Sequence, residues 1–197
     1  MKIGDLVELI FIRHGQGEHT MDLPSSLQVK DPSLTAKGVK QVKLLRNEFP
    51  LTNNDVIFIS PTRRTLQTAF ILSENIDCLK IVSPFVSPRV FPIFLNKKTL
   101  PCDEIMDFER IKREYPAFEV DLNVPNELWN SGINIIPENN FIKLAEEFIA
   151  NCKLLQKEKI FIVSHDGTIT SYRQWLSGQT LSRKDFPYET GWFRVSC

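Results

Sequence analysis

The sequence contains no apolar run of the length a membrane helix needs, so no membrane partner is expected. It has no charge bias either. Its 24 basic and 24 acidic residues leave a formal net charge of zero, which argues against nucleic acid as the main partner. A local basic pocket is compatible with that balance. Cysteine is sparse: Cys78, Cys102, Cys152 and Cys197 form no C-x-x-C pair, and only 3 histidines could help them hold a metal. A structural zinc site and a disulfide framework are therefore not expected, and a reduced, cytoplasmic compartment is. The opening "MKIGDLVELIFI" is interrupted by an acid and runs into strand chemistry, so it is not read as a signal peptide. Internal repeats, low-complexity tracts and linkers are also missing.

What is present is an ordinary globular composition, 42% hydrophobic and 24% charged over 197 residues. That is enough chain for one domain, 1–197, with a substantial core. Val7–Ile12 is a continuous apolar run rich in branched residues, as in a strand buried on both faces. Asp31-Pro32 marks a turn, and Thr35 is suited to cap a helix carrying Val39, Val42 and Leu45 at helical spacing. "DVIFIS", residues 55–60, predicts a second buried strand. The helix after it has Pro61 in its first turn. Pro84, Pro88 and Pro92 break the next stretch into short extended pieces. Helical spacing returns over 103–115. The Pro/Asn-rich stretch 116–137 predicts loop, and 84–137 as a whole a lid or insertion. An amphipathic helix follows at 138–156, then a strand at 159–164, a helix ending at Gly178, and a last strand around "GWFRV". Alternating apolar strands and helices imply an α/β three-layer sandwich, with a mostly parallel central sheet and helices on both faces.

Three strands end abruptly in polar residues. Ile12 leads into Arg13-His14-Gly15, Ile59 into Ser60-Pro61-Thr62-Arg63-Arg64, and Val163 into Ser164-His165-Asp166-Gly167. The carboxyl ends of parallel strands share one edge of an open sheet, and ligands bind there. If these strands are neighbours, two histidines and two or three arginines converge, with helix N-termini behind them. Such a pocket suits a phosphoryl group, whose oxygens match arginine forks.

These segments resemble the histidine phosphatase superfamily, also called phosphoglycerate mutase-like. "LIFIRHGQGEHT" is similar to its signature. "DPSLTAKGVKQ", "ISPTRRTLQTA" and "VSHDGTI" are similar to further motifs in the same order, so the likeness runs from residue 7 to about 170. The resemblance implies that His14 accepts the phosphoryl group, that Arg13 and Arg64 grip its oxygens, and that His165 stabilises charge on it. It implies no cofactor, no metal, and a small phosphorylated substrate as partner; oligomeric state is not implied. "RHGQGEH" with "LPCD" downstream is closer to the phosphatase-like members than to the glycolytic mutases. The expected activity is metal-independent phosphomonoester hydrolysis through a phosphohistidine. The alternatives are a phosphoglycerate mutase and a non-catalytic phospholigand binder.

Two departures stand out. Thr20 occupies the place of the family's asparagine, where its hydroxyl can still donate. Asn96 aligns where the family carries a glutamate as proton donor, and an amide cannot protonate an alkoxide. Asp103 ranks first as substitute acid, with Glu104 and Asp166 as alternatives. An N-cap for the following helix explains Asp103 equally well. Gly15, Gln16, Gly17, His19, Thr20 and Asp166 are candidates for substrate binding. For His19 the competing role is loop packing, for Gln16 a solvent-facing position, and for the two glycines the turn itself. Arg89 either reaches the pocket or is solvated, Arg63 starts a helix at the surface, and Lys97-Lys98 is a charged loop.

Overall fold

A computed structural model describes residues 6–94 and 96–197. The opening residues of the segment judged not to be a signal peptide lie outside that range. The chain runs through β1 (Glu8–Arg13), α1 (Ala36–Glu48), β2 (Val56–Ile59), α2 (Arg63–Leu72), β3 (Leu79–Val82), α3 (Phe108–Glu114), β4 (Glu119–Val120), α4 (Asn126–Ser131), α5 (Glu138–Leu154), β5 (Lys159–Ser164), α6 (Asp166–Ser177) and β6 (Trp192–Ser196). The six strands form one sheet in the order β4-β3-β2-β5-β1-β6. All neighbours are parallel except the β1–β6 pair.

The continuous apolar runs follow from burial on both faces of the central strands. In register, Phe11, Ile162 and Phe58 lie side by side on one face. Phe11 packs on Tyr172 of α6 at 5.1 Å between ring centroids, and Phe58 packs on Phe148 of α5 at 5.0 Å. The opposite face carries Ile10, Phe161 and Ile57, with Phe161 meeting Phe49 at the end of α1. Helices α1 and α2 pack on each other there. Each such fully buried side chain contributes about 1.5–3 kcal/mol. The three-layer α/β sandwich expected from the sequence is the observed architecture.

Local signals explain most boundaries. The Thr35 hydroxyl accepts from Gly38 N at 3.0 Å, capping α1. Gly178 takes φ +66 just after α6, where only a residue without Cβ is unstrained. Three expectations need correction. Pro61 lies outside α2, which starts at Arg63 with Thr62 as N-cap; its carbonyl instead accepts from Met106 N. The helix predicted over 103–115 begins at Phe108, because the Asp107 side chain caps it by accepting from Arg110 N. Residues 101–103 form a separate 3-10 turn opened by Pro101. The stretch 116–137 is not plain loop: it adds β4 to the sheet edge and forms α4. Its apolar residues, Phe118, Val124, Leu128, Trp129 and Ile133, are spaced by tertiary burial and not by a local period, which hid these elements.

Candidate active site

Parallel register brings the three polar strand ends together. Arg13 lies opposite Ser164, and Ile59 opposite Val163, so His14, Ser60 and His165 leave the sheet as neighbours. The first turns of α2 and α6 follow at once and bring in Arg64, Asp166 and Gly167. A cavity of about 400 Å³ opens over these residues. His14, His19 and His165, the chain's only histidines, all line it.

Hydrogen bonds define each imidazole. His14 Nδ1 lies 2.7 Å from the Gly15 carbonyl, which can only accept, so Nδ1 carries the proton and Nε2 bears the lone pair. Arg64 Nε donates to that Nε2 at 3.2 Å. His165 Nδ1 faces Arg64 Nη2, a donor, at 3.2 Å, so its Nε2–H donates to Ser60 Oγ at 2.7 Å. The two rings stand 5.2 Å apart, with Arg64 bonded to both. Arg64 is 1% exposed, and its remaining donors reach Cys102 O at 2.6 Å and Asp103 Oδ1 at 3.0 Å. Five guanidinium donors on one rigid plane make such a hub possible.

Electrostatics keep the histidines neutral. Burial holds His14 well below the ordinary imidazole pKa, and the positive charge of Arg64 pushes the same way. Burial and Arg64 do the same to His165. Burial, then Arg64, brings His19 down to about 3. An imidazole that stays unprotonated keeps its lone pair at neutral pH. The Asp103 carboxyl moves the opposite way: burial raises it, against the pull of Arg64.

The other predicted residues divide. Arg13 lines the cavity, with its guanidinium on Asp166 at 2.9 Å and on the Pro187 carbonyl at 2.8 Å. Asp103 and Asp166 both line it; Glu104 does not, and is exposed near Lys30. Asp103 is not an N-cap, since Asp107 holds that position. Asn96 is exposed at φ 61 and does not line the cavity. His19 lines the cavity with its ring 5.4 Å from that of His14. Thr20 lines it too, with its hydroxyl donating to Gly17 O at 2.9 Å. Gln16 falls outside: its side chain accepts from the Thr35 hydroxyl at 2.8 Å, at the start of α1. Gly15 and Gly17 serve packing. A Cβ on Gly15 would stand 2.7 Å from Gly38 O, and one on Gly17 2.7 Å from the His19 ring.

Arg63 does start a helix, and it pairs with Asp31 and Glu114. Arg89 is not solvated. It is 4% exposed, donates to Ile133 O at 3.2 Å and Ile136 O at 2.6 Å, pairs with Glu138 at 2.7 Å, and covers the Phe141 ring at 4.2 Å. It reaches the pocket, lining the cavity, and ties residues 133–138 to that position. Two residues were not singled out for the site in the sequence. Ser60, the first residue after β2, anchors His165. Asn134 is 2% exposed and stands against Asp103, where its amide favours the charged carboxylate; neither amide atom closes a hydrogen bond.

Comparison with known proteins bears directly on this arrangement. Residues 9–87 match the histidine phosphatase superfamily (branch 1). A stretch of 77 residues is 36% identical to phosphoserine phosphatase 1 of Hydrogenobacter thermophilus, covering 38% of this chain and 36% of that protein. The match thus spans little more than a third of the curated relative. Solved structures share the fold across nearly the whole chain. A phosphoserine phosphatase variant from Entamoeba histolytica, in complex with phosphoserine, superposes with a TM-score of 0.60 at 21% identity, covering 95% of this chain and 89% of that one. The alpha-ribazole phosphatase of Shigella flexneri gives 0.60 at 19% identity, over 95% and 89%. The segment that matches the histidine phosphatase superfamily (branch 1), residues 9–87, contains the Arg13-His14-Gly15 and Arg64 motifs, and the solved structures share the fold of nearly the whole chain.

Proposed function

We propose that the chain is a metal-independent phosphomonoesterase acting through a phosphohistidine on His14. One observation carries the reading: a buried, neutral imidazole whose free Nε2 lone pair meets Arg64 and, 5.2 Å away ring to ring, a second neutral histidine. Phosphoryl oxygens compete for the Arg64 donors, and that competition frees the lone pair. His14 Nε2 then attacks phosphorus, the ester P–O bond breaks, and the departing oxygen takes a proton from Asp103. In the second step Asp103, now a carboxylate, takes a proton from water. The resulting nucleophile attacks the phosphohistidine, releases phosphate and restores His14. Arg13 and Arg64 offset charge on the equatorial oxygens, and the neutral His165 contributes its ring N–H as a donor to them. They supply the positive charge and donors that a metal ion supplies in other phosphatases.

Asp103 is preferred as the acid because burial raises its carboxyl and because it lines the cavity beside Arg64. Asp166 also lines the cavity and is paired with Arg13 as Asp103 is with Arg64, and it is the alternative acid. The named relatives are phosphatases, which favours hydrolysis over mutase chemistry. His14→Ala is expected to abolish release of p-nitrophenol from p-nitrophenyl phosphate while leaving the circular dichroism unchanged. Chelation by EDTA is expected to leave wild-type turnover intact. An alkali-stable, acid-labile phosphoprotein should be trapped in the wild type and not in the variant. Parent-rate hydrolysis by His14→Ala rejects the assignment.

A further inference from the structure

Asn134 is 2% exposed, and neither its Nδ2 nor its Oδ1 has a hydrogen-bond partner among the described residues. Leaving a buried donor or acceptor unpaired costs stability, and an apolar side chain of the same size would avoid the cost. The amide is held where it is by burial and by a clamped backbone. The Asn134 carbonyl accepts from Val90 N at 2.9 Å, and Ile133 N donates to Ser87 Oγ at 2.9 Å. The Ile133 and Ile136 carbonyls accept from Arg89 at 3.2 and 2.6 Å. The amide faces the Asp103 carboxyl. That carboxyl is fixed from its own side, since Asp103 N donates to Leu100 O at 2.9 Å and the Cys102 carbonyl accepts from Arg64 at 2.6 Å. Two clamped segments, 101–103 and 133–136, thus set a carboxyl against an amide.

Asp103 Oδ1 accepts from Arg64 Nη2 at 3.0 Å. Arg64 is also the residue whose donors a phosphoryl group draws off, so the carboxyl loses its orienting partner at the moment it must give up a proton. The charged groups facing Asp103 are Arg64 and Asp166, and a carboxylate has no proton to donate. Asn134 Nδ2 has. As a neutral donor it also favours deprotonation less strongly than a cation does. We propose that Asn134 is the positioning residue for the Asp103 carboxyl: its Nδ2–H donates to one carboxyl oxygen when Arg64 turns to the phosphoryl group, which leaves the other oxygen to protonate the departing alkoxide and then to take a proton from water. This rests on the reading of Asp103 as the acid.

Asn134→Leu, made in the full chain, replaces the amide with an apolar group of similar size. kcat for n-butyl phosphate is expected to fall about 3-fold to 10-fold, the fold-change of one lost neutral hydrogen bond, with KM unchanged. Turnover of p-nitrophenyl phosphate, whose leaving group departs without a proton, should fall far less. Added to Asp103→Asn, Asn134→Leu should slow butyl phosphate no further, because the group it positions is gone. A residue that only supports the fold would slow both esters alike, and its loss would add to that of Asp103→Asn. With Asp103→Asn alone showing the leaving-group contrast, three results overturn the proposal while Asp103 keeps its role: equal loss on the two esters, additive loss in the double variant, or wild-type turnover by Asn134→Leu. If Asp103→Asn shows no contrast, the acid assignment falls and takes the proposal with it. Where circular dichroism shows that leucine prevents folding, Asn134→Ala is put to the same tests and the same results decide.

Discussion

Acid should unfold this protein steeply, because its three histidines are all buried in one cavity beside the same arginine. The unfolded chain binds a proton on each imidazole as pH falls through about 6.5. The folded chain does not: burial and Arg64 hold His14 and His165 well below that value and His19 down to about 3. The unfolded state therefore binds more protons, and stability present above pH 6.5 is lost as pH drops. The slope is about 1.4 kcal/mol per pH unit for each imidazole that stays neutral when folded. From pH 7.5 to 5.0 that amounts to about 2 kcal/mol per histidine and about 6 kcal/mol for three. Burial raises Asp103 and Asp121, whose folded carboxyls then bind protons early and act in the opposite sense, so about 6 kcal/mol is an upper limit. Total stabilities of small domains are about 5–15 kcal/mol, so the effect is large. Urea unfolding followed by tryptophan fluorescence at half-unit pH steps measures it. His19→Gln should recover about 2 kcal/mol of the loss, one histidine's share. A stability curve flat to within about 1 kcal/mol between pH 7.5 and 5.0 would refute the reasoning.

Asp103→Asn should slow hydrolysis of alkyl phosphates by about 10²–10⁴-fold and p-nitrophenyl phosphate far less, since nitrophenolate leaves without a proton. The same leaving-group contrast appearing in Asp166→Asn, and not in Asp103→Asn, would transfer the acid role. Ser60→Ala removes the acceptor of the His165 Nε2–H bond at 2.7 Å. It should cut kcat by about 10-fold to 100-fold, the equivalent of about 1–3 kcal/mol for a buried donor left unpaired, and an unchanged kcat refutes the positioning role. Gly38→Ala would set a Cβ 2.2 Å from the Gln16 carbonyl oxygen, a backbone atom. It is expected to destabilise by about 1–3 kcal/mol as α1 and the loop after β1 are forced apart, and a midpoint matching wild type would contradict the packing.

The local signals were legible because their causes are local. Apolar runs at Val7–Ile12, 55–60 and 159–164 are strands because both faces are covered, and each ends where the side chains turn polar. Thr35, Gly178 and the amphipathic 138–156 stretch announce themselves through backbone chemistry and helical period. The composition of the site, two histidines and two arginines at three strand ends, was readable once those strands were taken as neighbours. Arg13, His14, Arg64 and His165 do line one cavity.

What required the tertiary structure was everything set by distant partners. Arg89 could be solvated or reach the pocket as far as the sequence shows; it lines the cavity and is buried, because its partners, the carbonyls of Ile133 and Ile136 and the Glu138 carboxylate, lie more than forty residues away. Gln16, adjacent to the histidine motif, is drawn off to Thr35, and Asp103 owes its position to a 3-10 turn seated on Arg64. Strand β4 and helix α4 have no local period to betray them. The sequence by itself determined which segments are strands and helices and which residue types gather at the strand ends, since those depend on side-chain chemistry and spacing along the backbone. Only the folded chain decided which nitrogen of each histidine is free, which carboxylate faces the cavity and what walls surround it, because those depend on contacts between residues far apart in the chain.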